Sequence, residues 1–406
     1  MNVLFDSRGS RSFRVLAVAS VLGGAPAVAQ VPDLFERAVD AVAARHWDRE
    51  FVQRELPDLV RTFRRAARVA RSLAERAVVV DSLLSRVPSS HLALFSRYTF
   101  DALMAEVTAR PHPTLGLKLE QRGSRFFACE VVAGGPAERA GVRRGDLVVA
   151  VDGVPPPRAA RLDRHDDDAH LRDPVRRGLR VTAGERVRLV LERTRGRRGE
   201  VEIEAQARST ADTVRASVRI TARDGLRLGS LHLPFVHDDC AALVAELVRG
   251  RLAGCDALVL DLRGRGGSAG EARRLVRMFG GSRRIWRRPL ALLIDRSTRS
   301  AKELIALELR RRAAALLVGE RTAGALVEAG FEDLGDGYVL MVPVGRLRGS
   351  SDQVELRGVA PDLSVADSLP FSRGADPIRD AALSWLSSEC RARRASGVPR
   401  AAASRR

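Results

Sequence analysis

The sequence predicts a multi-domain α/β protein: a helical N-terminal part, a small β domain, and an α/β core. Three observations predict it. Apolar residues recur at helical spacing through residues 31–110, and strand-like runs punctuated by Gly-Pro and Asp-Gly fill 112–206. From about residue 212, continuous apolar strands alternate with helical stretches, as in a sheet covered on both faces. A chain of 406 residues holds two or three domains at about 150 residues each.

At the N-terminus, Arg8, Arg11 and Arg14 precede an apolar run from Val15 to Leu22, and Ala27-Val28-Ala29 offers a cleavage site before Gln30. Residues 1–29 therefore read as an export signal, which places the mature chain in the periplasm or outside the cell. No stretch reaches the ~18 apolar residues of a membrane-spanning helix. In the helical part (30–110), Phe35, Ala38, Val39, Val42 and Ala43 share one face. Leu56, Leu59, Val60 and Phe63 repeat the pattern, and a third run covers Leu73 to Leu84.

The β domain (111–206) contains Leu115-Gly116-Leu117, Phe126–Val132, Leu147–Val151 and Val187–Leu191 as strands. A polar insertion, Arg158–Arg177, carries His165, Asp166–Asp168 and His170, and reads as a solvated loop rather than a metal site. The core (207–390) runs strand Leu228–Phe235, helix Ala241–Leu247, strand Ala257–Leu260, helix Glu271–Phe279 and strand Leu290–Ile294. A helix at Ala301–Arg312 and strand Ala315–Val318 complete it. Residues 391–406 hold six Arg and no acid, and read as a disordered basic tail.

The formal charge is +19; the 69 basic residues include only Lys118 and Lys302 as lysines, so 67 are Arg. They are spread over every segment, and aromatics are 4%, so the excess reads as compositional rather than as a nucleic-acid footprint. Cys129, Cys240, Cys255 and Cys390 are too few for a disulfide framework. Cys240 and Cys255 would be held too far apart by the helix between them to bridge.

In Ser297-Thr298-Arg299-Ser300-Ala301-Lys302-Glu303 a buried strand meets a helix. A Ser there is exposed near the positive end of a helix dipole, with the Ala301 N–H beside it; a plain helix N-cap is the competing reading. Asp261-Leu262-Arg263-Gly264-Arg265-Gly266-Gly267 follows another buried strand, and its glycines let a substrate backbone approach. Gly319-Glu320-Arg321-Thr322-Ala323-Gly324 and Gly358-Val359-Ala360-Pro361-Asp362 come later.

Two resemblances follow. Thr114–Leu117, then Gly135-Pro136-Ala137-Glu138-Arg139-Ala140-Gly141-Val142 and Gly145-Asp146-Leu147, resemble a PDZ domain. That implies a carboxylate cradle of free N–H groups at Leu115, Gly116 and Leu117, with a strand edge open to an added peptide strand. The ordered core motifs resemble the S41 serine peptidases, the family of carboxy-terminal processing and tricorn-type proteases, with a ClpP/crotonase-like core. The resemblance implies Ser300 as nucleophile and Ala301 and Gly267 as oxyanion donors. Gly267 is preferred over Gly266, whose position is often Pro in the family.

Processing proteases carry a Lys base 25 residues after the Ser; here that position is Ala325, and a methyl group cannot accept a proton. Lys302 points away from Ser300 along its helix. Ser89-Ser90-His91 resembles the Ser-His motif of tricorn-like members, which implies His91 as base, and Glu355 matches their acidic partner. Ser90 is then a hydrogen-bond partner of His91 or of the substrate. Arg265 replaces the usual Asn, and His232, His237 and Asp238 read as structural.

The expected activity is hydrolysis of peptide bonds in protein or peptide substrates by an exported serine endopeptidase, without metal or organic cofactor. A non-catalytic PDZ scaffold stays open beside it.

Overall fold

The computed structural model describes residues 33–159, 161–162, 176–347 and 351–396. The expected export signal (1–29) and the insertion from His165 to His170 lie outside the described residues.

The chain opens with α1 (Leu34–Arg45), α2 (Arg49–Arg54), α3 (Leu56–Val69) and α4 (Leu73–Leu84). Asp33, Asp48 and Ser72 cap α1, α2 and α4 by accepting an N–H two or three residues inside each helix. Helical periodicity then fails: Ala93–Ser96 is a strand, β1, before α5 (Arg97–Val107). The reason is non-local, because the partner of β1 lies some 245 residues downstream.

Next come β2 (His112–Thr114), β3 (Leu117–Arg122), β4 (Arg125–Val131), α6 (Pro136–Arg139), β5 (Leu147–Val151) and β6 (Arg176–Arg177). β7 (Arg186–Thr194), β8 (Arg197–Glu204) and β9 (Gln206–Arg208) follow. Their main sheet has the order β6-β3-β4-β5-β7-β8.

The core comprises α7 (Thr210–Ser217), β10 (Arg219–Arg223), β11 (Leu226–His232), α8 (Cys240–Arg249), β12 (Ala257–Asp261), α9 (Ala269–Gly280) and β13 (Leu290–Ile294). It continues with α10 (Ala301–Ala313), β14 (Leu316–Gly319), β15 (Val327–Gly335), β16 (Tyr338–Arg346), α11 (Ser351–Val354), β17 (Leu363–Ser364) and α12 (Pro377–Ala395). The sheet β10-β11-β12-β13-β14-β17 is parallel from β11 onward, with β10 as an antiparallel edge.

Both faces are covered. Leu258, Leu260, Leu292 and Ile294 pack with α8, α9 and α10, whereas Val259, Ala291, Leu293 and Val318 pack on Ile378, Ala382, Leu383 and Leu386 of α12. Two opposed apolar faces explain why these strands read as unbroken hydrophobic runs. The tail expectation is corrected at its start: α12 carries residues 391–395, because Cys390 is buried and Arg394 pairs with Asp256 at 3.1 Å. Residues 397–406 lie outside the described residues.

The hairpin β15–β16 leaves the core and pairs with β1, and Leu334, Leu340 and Val342 join the apolar cluster of α1–α4. The helical part and the core are thereby sewn together beside the site. The β domain is held by the segment before α12, where Leu369 and Phe371 pack on Phe127, Cys129 and Leu147 and Arg144 pairs with Asp367. All four cysteines are free and buried. No helix among the described residues is long and apolar enough to cross a membrane.

Candidate active site

At the end of β13 the carboxylate of Asp295 accepts from Ser297 N (2.9 Å), Ser297 Oγ (2.6 Å) and Thr298 N (3.1 Å), and so tightens the turn into α10. Ser300 ends that turn at φ 56°, ψ −124°. A non-glycine residue held there costs on the order of 1–3 kcal/mol, which the surroundings must supply.

Glu303 supplies much of it. One carboxylate oxygen accepts from Thr322 Oγ1 (2.5 Å) and Gly324 N (2.7 Å), the other from Ala325 N (2.8 Å) and Ser300 N (3.0 Å). Burial raises its carboxyl to about 7, opposed by these four donors, which favour the anion. One side chain therefore ties the Ser300 turn to the 322–325 turn. Ala325 is fully buried and contributes an N–H to this clamp.

The amide of Glu303 donates to the Ser300 carbonyl (2.9 Å), while Oγ lies 3.2 Å from Nε2 of His91. His91 sits at φ 59° after α4, and its Nδ1 is 2.8 Å from Ser90 Oγ. Burial, then the charge of Arg299, lowers its pKa to about 3, so the imidazole is neutral at pH 7.

Glu355 departs from expectation. Its oxygens accept from Ser90 N (2.9 Å) and Leu326 N (2.7 Å), so it grips the backbone beside His91 rather than the ring.

Gly266 and Gly267 border Ser300 from the turn after β12. A Cβ on Gly266 would come 2.6 Å from Ser300 Cβ, and one on Gly267 (φ 136°) 2.3 Å from Val236 O. Ser268 N and Gly266 O are engaged by Val236, whereas the N–H groups of Gly267 and Ala301 have no acceptor among the described residues. Gly267→Ala should therefore displace the turn. The melting temperature of that variant should be lowered accordingly.

The turn is braced from below. Arg263 forms bidentate bonds to Asp261 (2.9 and 2.6 Å) and Asp376 (3.0 and 2.7 Å). Lys302, fully buried, points away from Ser300 and donates to Pro234 O (2.9 Å) and Arg263 O (3.0 Å); burial lowers its amine to about 7. His232 Nε2 lies 3.3 Å from Arg263 O, and His237 Nδ1 2.5 Å from Asp238 O, both structural contacts.

Ser300, His91, Ala301 and Gly267 open onto one pocket of about 400 Å³. Its wall is largely apolar, from Phe95, Leu103, Phe235, Phe331 and Met341, with Arg265 and Arg299 on the side of the serine. Among the described residues no group of three or more His, Cys, Asp or Glu could hold a metal ion.

The peptide cradle expected at Leu115, Gly116 and Leu117 differs. All three are buried, Gly116 N donates to Thr114 Oγ1 (2.9 Å), and β6 pairs with β3 at Leu119 and Glu120. The β3 edge expected to accept a peptide strand is thus taken in part by the chain itself.

Residues 277–365 match the profile of peptidase family S41, and residues 127–193 that of the PDZ domain. The chloroplastic C-terminal processing peptidase of Tetradesmus obliquus is 29% identical over 260 residues, 57% of this chain and 55% of that one. The chain thus spans about half the length of that relative. The photosystem II D1 C-terminal processing protease superposes with a TM-score of 0.53 at 22% identity, over 85% of this chain and 97% of that chain. The tricorn protease gives 0.52 at 15% identity, over 88% of this chain and 36% of its own. These likenesses concern the fold. The chain therefore carries a PDZ domain and a core of peptidase family S41.

Proposed function

We propose that this protein is an exported serine endopeptidase that hydrolyses peptide bonds through an acyl-enzyme on Ser300. The observation that carries the reading is the 3.2 Å approach of His91 Nε2 to Ser300 Oγ, across 209 residues of sequence. Neutral His91 takes the hydroxyl proton as Oγ attacks the scissile carbonyl. The oxyanion so formed meets the free N–H groups of Ala301 and Gly267. The imidazolium returns its proton to the leaving amine, and a water repeats the cycle on the ester. With its proton on Nδ1, donating a hydrogen bond to Ser90 Oγ, the ring keeps Nε2 as the base, and Glu355 fixes Ser90. Peptide recruitment by the PDZ domain requires β6 to release the edge of β3. Export rests on the pattern of residues 1–29.

A second reading, a peptide-binding protein without catalysis, is favoured by the weak basicity of His91. Incubation of the purified protein with an unstructured polypeptide separates the two. Cleavage that disappears in Ser300→Ala supports the hydrolase, whereas intact substrate with retained peptide binding supports the scaffold.

The base also fixes a pH dependence. It acts when neutral, and a pKa of about 3 leaves it neutral at both pH 7 and pH 5. Fluorophosphonate labelling of Ser300 should then change less than about threefold over that range, against the roughly 30-fold loss expected for an ordinary histidine of pKa about 6.5.

A further inference from the structure

The N-terminal hairpin carries a surface that the catalytic reading does not use. α3 is strongly amphipathic: Leu56, Val60 and Ala67 face inward, while Arg61, Arg65, Arg68 and Val69 face out. The chain turns at Ala70–Ser72 and re-enters α4 with Leu73 and Val78 outward. Val69 is 69% exposed, Val78 61% and Leu73 37%, three exposed aliphatic side chains within ten residues of sequence.

The same stretch of chain carries Arg65, Arg68 and Arg71, all exposed and without an ion-pair partner among the described residues. The nearby acids are engaged: Asp58 pairs with Arg61, Glu36 with Arg64, and Glu75 accepts the Arg71 amide at 2.6 Å.

We propose that the α3–α4 tip docks this protein peripherally on an anionic lipid surface. Aliphatic side chains enter the interface while guanidiniums meet the headgroup phosphates. A second copy of the chain fits less well. It would bring the same three unpaired cations to the contact, on a molecule with formal charge +19.

The test is co-sedimentation of the full chain with phosphatidylcholine vesicles with or without phosphatidylglycerol. Binding is expected only with phosphatidylglycerol and should weaken as salt rises. Combined Arg65→Glu, Arg68→Glu and Arg71→Glu should lower affinity at least about 100-fold, at roughly fivefold per cation, with the circular dichroism melt unchanged. Val69→Ser with Val78→Ser should weaken binding while leaving its salt dependence. Equal binding to both vesicles, or undiminished binding of the triple variant, overturns the proposal. So does a lipid-free dimer that the triple variant abolishes.

Discussion

His91→Ala should lower proteolysis by about 10⁴- to 10⁶-fold, as much as Ser300→Ala, with the double variant no worse than either. Non-additivity is the informative part, because a nucleophile and its base act as one unit. The cause is local: Lys302, the cationic neighbour on the same helix, is tied to two carbonyls, and position 325 carries a methyl group. Removing the imbedded ring also relieves a buried base. Its folded pKa of about 3 lies below the unfolded value, so the stability that burial of neutral His91 provides is full above about pH 6.5 and is lost as pH falls toward 3. His91→Ala should therefore lose less stability on acidification than the parent, measured by thermal melts at pH 7 and pH 4.

Glu303→Leu is expected to have the largest effect on stability. It removes the shared acceptor of four donors in a fully buried site, three of them backbone N–H groups. Orphaning several buried donors costs about 1–3 kcal/mol each before relaxation. A loss of at least about 3 kcal/mol in denaturant unfolding is expected, together with loss of cleavage as Ser300 leaves its strained conformation. Glu303→Gln, which keeps one acceptor oxygen but sets an NH₂ against donors, should lie between the two. Unchanged unfolding of Glu303→Leu would mean that the 322–325 turn does not depend on the clamp.

The candidate site was legible in the sequence only as motifs with a family resemblance, although the segments that carry those motifs are local. Ser300 stands at a strand-to-helix junction, the glycines follow a buried strand, and Ser90-His91 closes a helical run. The doubly covered sheet was legible because burial on both faces leaves unbroken apolar strands. What was not legible depends on contacts between distant segments. β1 exists because β16 offers an edge, a partnership to which helical periodicity in residues 31–110 is blind. Glu355 matched an acidic position in sequence, yet which donor it meets is set by the loop it faces, and it meets the Ser90 amide. Glu303 read only as a motif letter, because its four donors come from two turns joined in the fold alone. The occupation of the β3 edge at Leu119 and Glu120 depends likewise on β6 returning after a long insertion.

The most direct measurement is the rate of fluorophosphonate attachment to the peptide containing Ser300, followed by mass spectrometry in the parent protein and in His91→Ala. The expected result is an adduct on Ser300 of the parent and none on the variant over the same interval, with added imidazole restoring part of the rate. An adduct forming on Ser300 at equal rates in both proteins would contradict the assignment of His91 as the base.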